Sequence, residues 1–303
     1  MTTEVAVDRC AGLFQGRAAP YDVAMQTGQF SRTALGAAAH RAAHQILEGG
    51  RIFVDPLAVR ILGAEGDALI EEARANPQRR GLRLFIAARA RFAEDAVAEA
   101  VARGVRQIVV LGAGLDTSSY RARHDESVRM FEVDHPATQA WKRARLGAAG
   151  IAIPSALSYV AVDFERERFM DRLDASGFDK SLPAFFIWLG VVPYLTETAI
   201  DATLNAIAAL PGGAEVVFDY SNPVSSIDDP DRRAAHEALV ARVAAAGEPL
   251  ITMFETDALA RRLESLGLRV VADLGLAGIA ERYFGRPGGS DRGGHIMHAA
   301  RRA

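Results

Sequence analysis

The sequence predicts an α/β fold, a doubly wound and mainly parallel sheet of seven strands with a helical cap at its N-terminal end. Three observations predict it. Short apolar runs rich in β-branched and aromatic residues stand at 107–111, 128–133, 158–162, 184–188, 214–219, 268–274 and 294–301, and the first five alternate with stretches of helical period. The first run, Gln107-Ile-Val-Val-Leu111, breaks into Gly112-Ala-Gly114, and Asp134 closes the next run twenty-two residues after Gly112. Such glycines let the backbone approach a ligand with no Cβ in the way, and the acid can accept the hydroxyl hydrogens of a ribose. Residues 31–104 carry only the helical period before any strand begins.

The elements follow in order. Residues 1–30 show little periodicity and are expected to form a tail able to fold over a ligand. Ser31-Arg32-Thr33 offers caps for a helix that Gly49-Gly50 ends. Asp55-Pro56 opens a second helix with Pro in its first turn, and a third spans 65–76 until Pro77. A long amphipathic helix over 81–103 is closed by Gly104. Beyond the fifth strand come helices over 229–246 and 255–265. A helix-like piece and the loop at 286–290 then separate the last two strands, the sheet being finished by an antiparallel strand. The organisation read from this is a tail (1–30), a helical cap (31–104) and a ligand-binding sheet domain (105–303).

Composition bounds the function. The 303 residues are 50% hydrophobic and 24% charged, as in a globular protein with a sizeable core. A net charge of −3 gives no sign of a nucleic-acid partner, and basic charge is arginine except for Lys142 and Lys180. Cys10 is the only cysteine, so neither an intrachain disulfide nor a cysteine metal cage is possible. No run approaches a membrane span and the first thirty residues lack a signal-peptide core, so the expected location is the cytoplasm.

Ligands of open parallel sheets sit at the carboxyl ends of the strands. The first end presents Gly112, Gly114 and Asp116, which a ligand or a plain strand-to-helix turn explains equally. A dinucleotide fingerprint would carry Gly or Ala where Thr117 stands; the turn therefore suits a nucleoside with another appendage, such as S-adenosylmethionine (SAM). The second end presents Glu132 and Asp134 on one face, a costly pair unless a donor-rich ligand or a cation meets them; Asp134 could also cap the following helix. At the third end, Asp163 before Phe164 could receive an adenine amine or cap a helix. The fourth leads through Leu189-Gly190 to Pro193-Tyr194, placing an aromatic ring beside the reacting end of a ligand unless Tyr194 is core. Tyr220, after the fifth strand, is a further pocket candidate whose alternative is simple packing.

His40 and His44 lie four apart on the first helix, without the acidic third ligand of a zinc motif, so no metal is expected. Interhelical packing is the default for both, and a place near an acceptor is the sharper alternative; Arg32 or Arg41 would then steer an acidic substrate. No nucleophile elbow and no phosphate-binding Gly-Lys-Ser/Thr loop is present.

Five ordered motifs now stand together: Ser31-Arg-Thr-Ala34, Arg89-Ala-Arg-Phe92, Leu111-Gly-Ala-Gly-Leu-Asp-Thr117, Phe131-Glu-Val-Asp-His-Pro136 and Gly190-Val-Val-Pro-Tyr-Leu-Thr196. From about residue 30 onward the chain resembles the leucine carboxyl methyltransferase family, more closely its bacterial branch of small-molecule O-methyltransferases. The resemblance implies a Rossmann-like class I SAM-dependent methyltransferase fold with a helical cap. It implies that Arg89 pairs with the methionine carboxylate of SAM and that Gly112 and Gly114 line the methionine and ribose region. Asp134 would hold the ribose, and Asp163 with Phe164 would receive adenine, with Asp116 and Glu132 in the same cofactor set. The family usually carries Glu, which helps hold the methionine moiety, where this chain carries Leu189. The expected function is SAM-dependent methyl transfer to a carboxylate or hydroxyl of a small-molecule acceptor. The alternatives are a SAM-binding relative without catalysis, suggested by Leu189, and an NAD(P)-linked oxidoreductase.

Overall fold

β1 (Gln107–Leu111), β2 (Arg129–Asp134), β3 (Leu157–Ala161), β4 (Ala184–Trp188), β5 (Ala214–Ser221), β6 (Arg269–Leu274) and β7 (Gly294–Arg301) form one sheet in the order β3-β2-β1-β4-β5-β7-β6. This computed structural model describes residues 31–121, 127–163, 167–245, 249–285 and 291–301. The expected tail with Cys10, the loop at 286–290 and Phe164 lie outside the described residues. β1 to β5 run parallel, and β7 pairs antiparallel with both β5 and β6. The chain winds outward from β1 to β3, then returns to β4, so the order reverses between β1 and β4. That reversal opens a crevice at the strand ends.

Helices α1 (Arg32–Leu47), α2 (Ala58–Leu62), α3 (Gly66–Ala75) and α4 (Arg80–Ala102) precede the sheet. α5 (Ser118–Arg121), α6 (Pro136–Ala148), α7 (Phe169–Ala175) and α8 (Glu197–Ala208) connect the parallel strands. α9 (Pro230–Ala245) and α10 (Thr256–Ser265) lead to β6, and α11 (Leu276–Phe284) links β6 to β7. Strand alternation sends Val109, Phe131, Phe186 and Phe218 to one face and Ile108, Phe185 and Val217 to the other. Both faces are covered, which is why the central strands read as continuous apolar runs.

The N-terminal helices divide. α1, α2 and α3 bury Ala42, Ala43, Ile61, Leu62 and Ile70 together with Leu115 and Leu146 from the sheet part. α4 instead lies on the sheet, its Ala87, Ala93 and Val97 packed with Ile108 and Phe185. Ser31 caps α1 by accepting from Ala34 N at 3.1 Å, a bond of a kind that contributes about 1 kcal/mol. Asp55-Pro56 opens a turn rather than a helix: Asp55 Oδ1 accepts from Leu57 N at 3.1 Å, and α2 begins only at Ala58. Among the described residues no helix is long and apolar enough to cross a membrane.

Candidate functional site

A cleft lies at the β1/β4 reversal, walled by the glycine turn, by the turn after β4, by the start of α1 and by the middle of α4. Gly112 (φ +64°) and Gly114 (φ +43°) occupy the left-handed region, which favours glycine. A Cβ at Gly112 would stand 2.5 Å from Val191 Cγ2, and one at Gly114 would stand 2.9 Å from Ala34 Cβ on α1. Gly114 therefore also serves the close approach of the cap, and Gly112 that of the turn after β4.

Asp134 lies on the cleft wall at the end of β2, its Oδ2 accepting from Gly114 N (2.5 Å) and its Oδ1 from His135 N (2.7 Å). Burial pushes its carboxyl up to about 6, against the pull of these two bonds and of Lys142. The helix cap that Asp134 might have supplied is made by His135, whose Nδ1 accepts from Ala137 N at 3.2 Å. Asp116 also lines the cleft. Burial raises its pKa, but Arg41, Lys142 and the Ser118 hydrogen bonds outweigh that and leave the carboxyl below its ordinary value.

Arg89 reaches the cleft from α4 and pairs through Nη1 with Asp219 Oδ2 at 2.6 Å. Asp219 Oδ1 accepts from Gly190 N at 2.6 Å, so one carboxylate joins α4 to the turn after β4. Leu189, Gly190 and Tyr194 line the same cleft, Tyr194 on a single 3-10 turn (Val192–Tyr194).

Other expected site residues lie elsewhere. Glu132 is buried against Lys142 Nζ (2.8 Å) and the Tyr120 hydroxyl (3.0 Å), so the cation its position demanded is a lysine of the chain. Tyr220 is buried with its hydroxyl on Asp273 (2.7 Å) and Thr256 (3.3 Å) and its ring stacked on His295, away from the cleft. Parity explains this: successive strand residues face opposite sides, so Asp219 meets α4 while Tyr220 meets α10. Asp163 follows β3, one strand beyond Asp134, with its N–H donated to Glu167 Oε2 (3.0 Å). His44 is fully buried with Nδ1 on Glu48 (3.3 Å) at the end of its own helix, and Glu48 in turn accepts from Arg83 of α4, so the pair bridges the two helices. His40 is pushed down to about 4, first by burial and then by Arg83 and other arginines. Arg41 lines the cleft but is committed to Leu115 O (2.6 Å) and Asp55 (3.4 Å); Arg32 sits exposed at the start of α1.

Two residues the motifs do not single out organise the site. Asp219 could have been found by reading the fifth strand end as the first four were read. Asp55 is fully buried and receives Thr117 Oγ1 (2.7 Å), Arg121 Nε (3.1 Å) and Arg41 Nε. No local pattern marks it beyond Asp-Pro. Among the described residues no group of three His, Cys, Asp or Glu could hold a metal ion.

The strand order, the flanking helices and the cleft at the β1/β4 reversal define a class I methyltransferase fold. Two solved structures share it: a DUF574 family protein from Streptomyces avermitilis MA-4680 and a Thermobifida fusca YX protein named as a methyltransferase. Each has a TM-score of 0.55, at 18% and 17% identity, covering 86% and 88% of this chain and 96% and 94% of theirs. The leucine carboxyl methyltransferase family model matches residues 34–208, and the chain belongs to that family. YktD of Bacillus subtilis (strain 168), named for SAM-dependent methyltransferase activity, is 36% identical over 200 residues, 65% of each chain. A Mycobacterium avium (strain 104) protein named for the same activity is 34% identical over 252 residues, 78% of each chain. The matched stretch spans between 47% and 65% of the first five curated relatives.

Proposed function

We propose that the chain is a SAM-dependent O-methyltransferase acting on a carboxylate or hydroxyl of a small-molecule acceptor. The observation that carries this reading is the convergence of the glycine turn, Asp134 and Arg89 on one cleft at the sheet reversal. The cleft fits the cofactor: two left-handed glycines turn the β1 exit along the cleft wall, a carboxylate stands at the β2 end, and a guanidinium reaches the cleft from α4. When bound, SAM supplies a methyl group activated by a sulfonium.

In this reading Arg89 pairs with the methionine carboxylate, Asp134 accepts from the ribose hydroxyls, and Asp163 with Phe164 receives adenine. Gly112, Gly114 and Asp116 line the passage between them, and Leu189 contributes an apolar wall. Tyr194 flanks the reacting end and α1 covers it, aligning the acceptor and excluding water. An acceptor carboxylate is already ionised and needs no base. Arg41 on the cleft wall and Arg32 at the start of α1 supply the positive charge that steers an acidic acceptor.

Calorimetric titration with SAM and S-adenosylhomocysteine tests the reading, with Arg89→Ala as control. Micromolar binding that the control loses supports it, followed by methyl transfer across a panel of small acids and phenols. A wild type that binds neither nucleoside sinks it. Binding without transfer across the panel favours the second reading, a non-catalytic SAM-binding relative, for which Leu189 is the motivation.

A further inference from the structure

The guanidinium of Arg89 carries five N–H donors. Asp219 takes one of them; the others make no hydrogen bond among the described residues, although the side chain is only 12% exposed. A half-buried guanidinium with open donors in a cleft is a receptor for an anion, and a planar carboxylate suits its fork. Its direction is set by Asp219, whose side chain is 6% exposed. One oxygen of Asp219 holds Nη1 and the other holds Gly190 N, both at 2.6 Å. Gly190 lies in the left-handed region (φ +71°), and a Cβ there would stand 2.8 Å from Arg89 Nη2. The turn after β4 and the guanidinium are thus packed against each other with the carboxylate as their common anchor.

We infer that Asp219 is a positioning residue of the ligand cleft. By holding Arg89 and the Gly190 turn in one geometry, it presents the open face of the guanidinium to the α-carboxylate of the ligand's amino-acid portion. The inference rests on the role proposed above for Arg89. It assigns Asp219 a selective effect: ligands bearing the α-carboxylate depend on it, and nucleosides without one do not.

The experiment is calorimetry of wild type, Asp219→Asn, Arg89→Ala and the double variant with S-adenosylhomocysteine and with 5′-methylthioadenosine, which lacks the amino-acid portion. Asparagine keeps the shape of Asp219 but removes the charge that faces Arg89. The expected result for Asp219→Asn is a loss of about tenfold or more in S-adenosylhomocysteine affinity, with 5′-methylthioadenosine held within about twofold. The double variant is expected to match Arg89→Ala, because the two residues act as one unit. Equal losses for both ligands would make Asp219 merely structural, and wild-type selectivity in Asp219→Asn beside an impaired Arg89→Ala would overturn the inference directly. If Arg89→Ala itself keeps full selectivity, the proposed role of Arg89 falls, and the inference with it. If wild type binds neither ligand, the methyltransferase reading falls as well. Asp219→Glu, which keeps the charge but displaces it by a methylene, is read the same way should the asparagine variant fail to fold.

Discussion

Thr117 Oγ1 and Asp55 Oδ2 stand 2.7 Å apart, and both residues are fully buried. Thr117 occupies the position where a dinucleotide fingerprint would have its third glycine, and here it fastens the glycine turn to the cap. Asp55 gathers Arg41 from α1 and Arg121 from α5, and Arg121 in turn holds Glu94 of α4 through both terminal guanidinium nitrogens. The turn and the cap that covers it are therefore one mechanical unit.

Substitutions at this latch are expected to cost stability before they touch the cleft. Asp55→Asn leaves the buried Arg41 without its paired carboxylate and Arg121 with Glu94 alone, and is expected to lose about 3–5 kcal/mol. Thr117→Val, isosteric but without the hydroxyl, is expected to lose about 1–3 kcal/mol. Urea unfolding measures both; a Thr117→Val midpoint equal to wild type would show that the hydroxyl contact contributes nothing.

Asp134 makes stability and ligand binding respond to pH in opposite directions. Burial lifts its carboxyl from an ordinary 3.8 to about 6, so between these values the folded state holds more proton than the unfolded state. Its contribution to stability is therefore fully present below about 4 and falls as pH rises to about 6. Ribose hydroxyls donate to the ionised form, so S-adenosylhomocysteine affinity is expected to rise with pH up to and through about 6 and then level off. Calorimetry from pH 5 to 8 on wild type and Asp134→Asn checks this. An affinity in wild type as flat as in the variant would remove Asp134 from the ribose site.

The two tyrosines are expected to separate. Tyr194 lines the cleft, whereas the Tyr220 hydroxyl is spent on Asp273 and Thr256. Tyr220→Phe is expected to bind S-adenosylhomocysteine within about twofold of wild type while losing about 1–2 kcal/mol of stability through the orphaned Asp273 contact. Tyr194→Ala is expected to weaken binding about tenfold through lost packing at the cleft wall. Parallel titration and unfolding decide; a larger binding defect in Tyr220→Phe would reverse the assignment.

Strand and helix positions were readable because their signals are local. The continuous apolar run at Gln107–Leu111 and the breaks at Gly112 and Gly114 need no distant partner to be recognised. Glu132 shows the boundary of such reading: its position called for a cation or a donor-rich ligand, and choosing Lys142 over a ligand required knowing that α6 folds back over β2. Tyr220 and Asp219 show it again, since adjacent strand residues face opposite layers and the pattern does not say which layer holds the cleft.

From the chain of letters follow the seven strands, the cap before them, the family, and the glycine turn with Asp134 at the sheet reversal, all written in spacing and residue type over short distances. Folding in three dimensions adds the contacts between elements far apart in sequence: Arg89 with Asp219 across 130 residues, Thr117 with Asp55 across 62. These depend on how helices pack over the strands, and so on the sum of many burial and hydrogen-bonding contributions that no single segment carries.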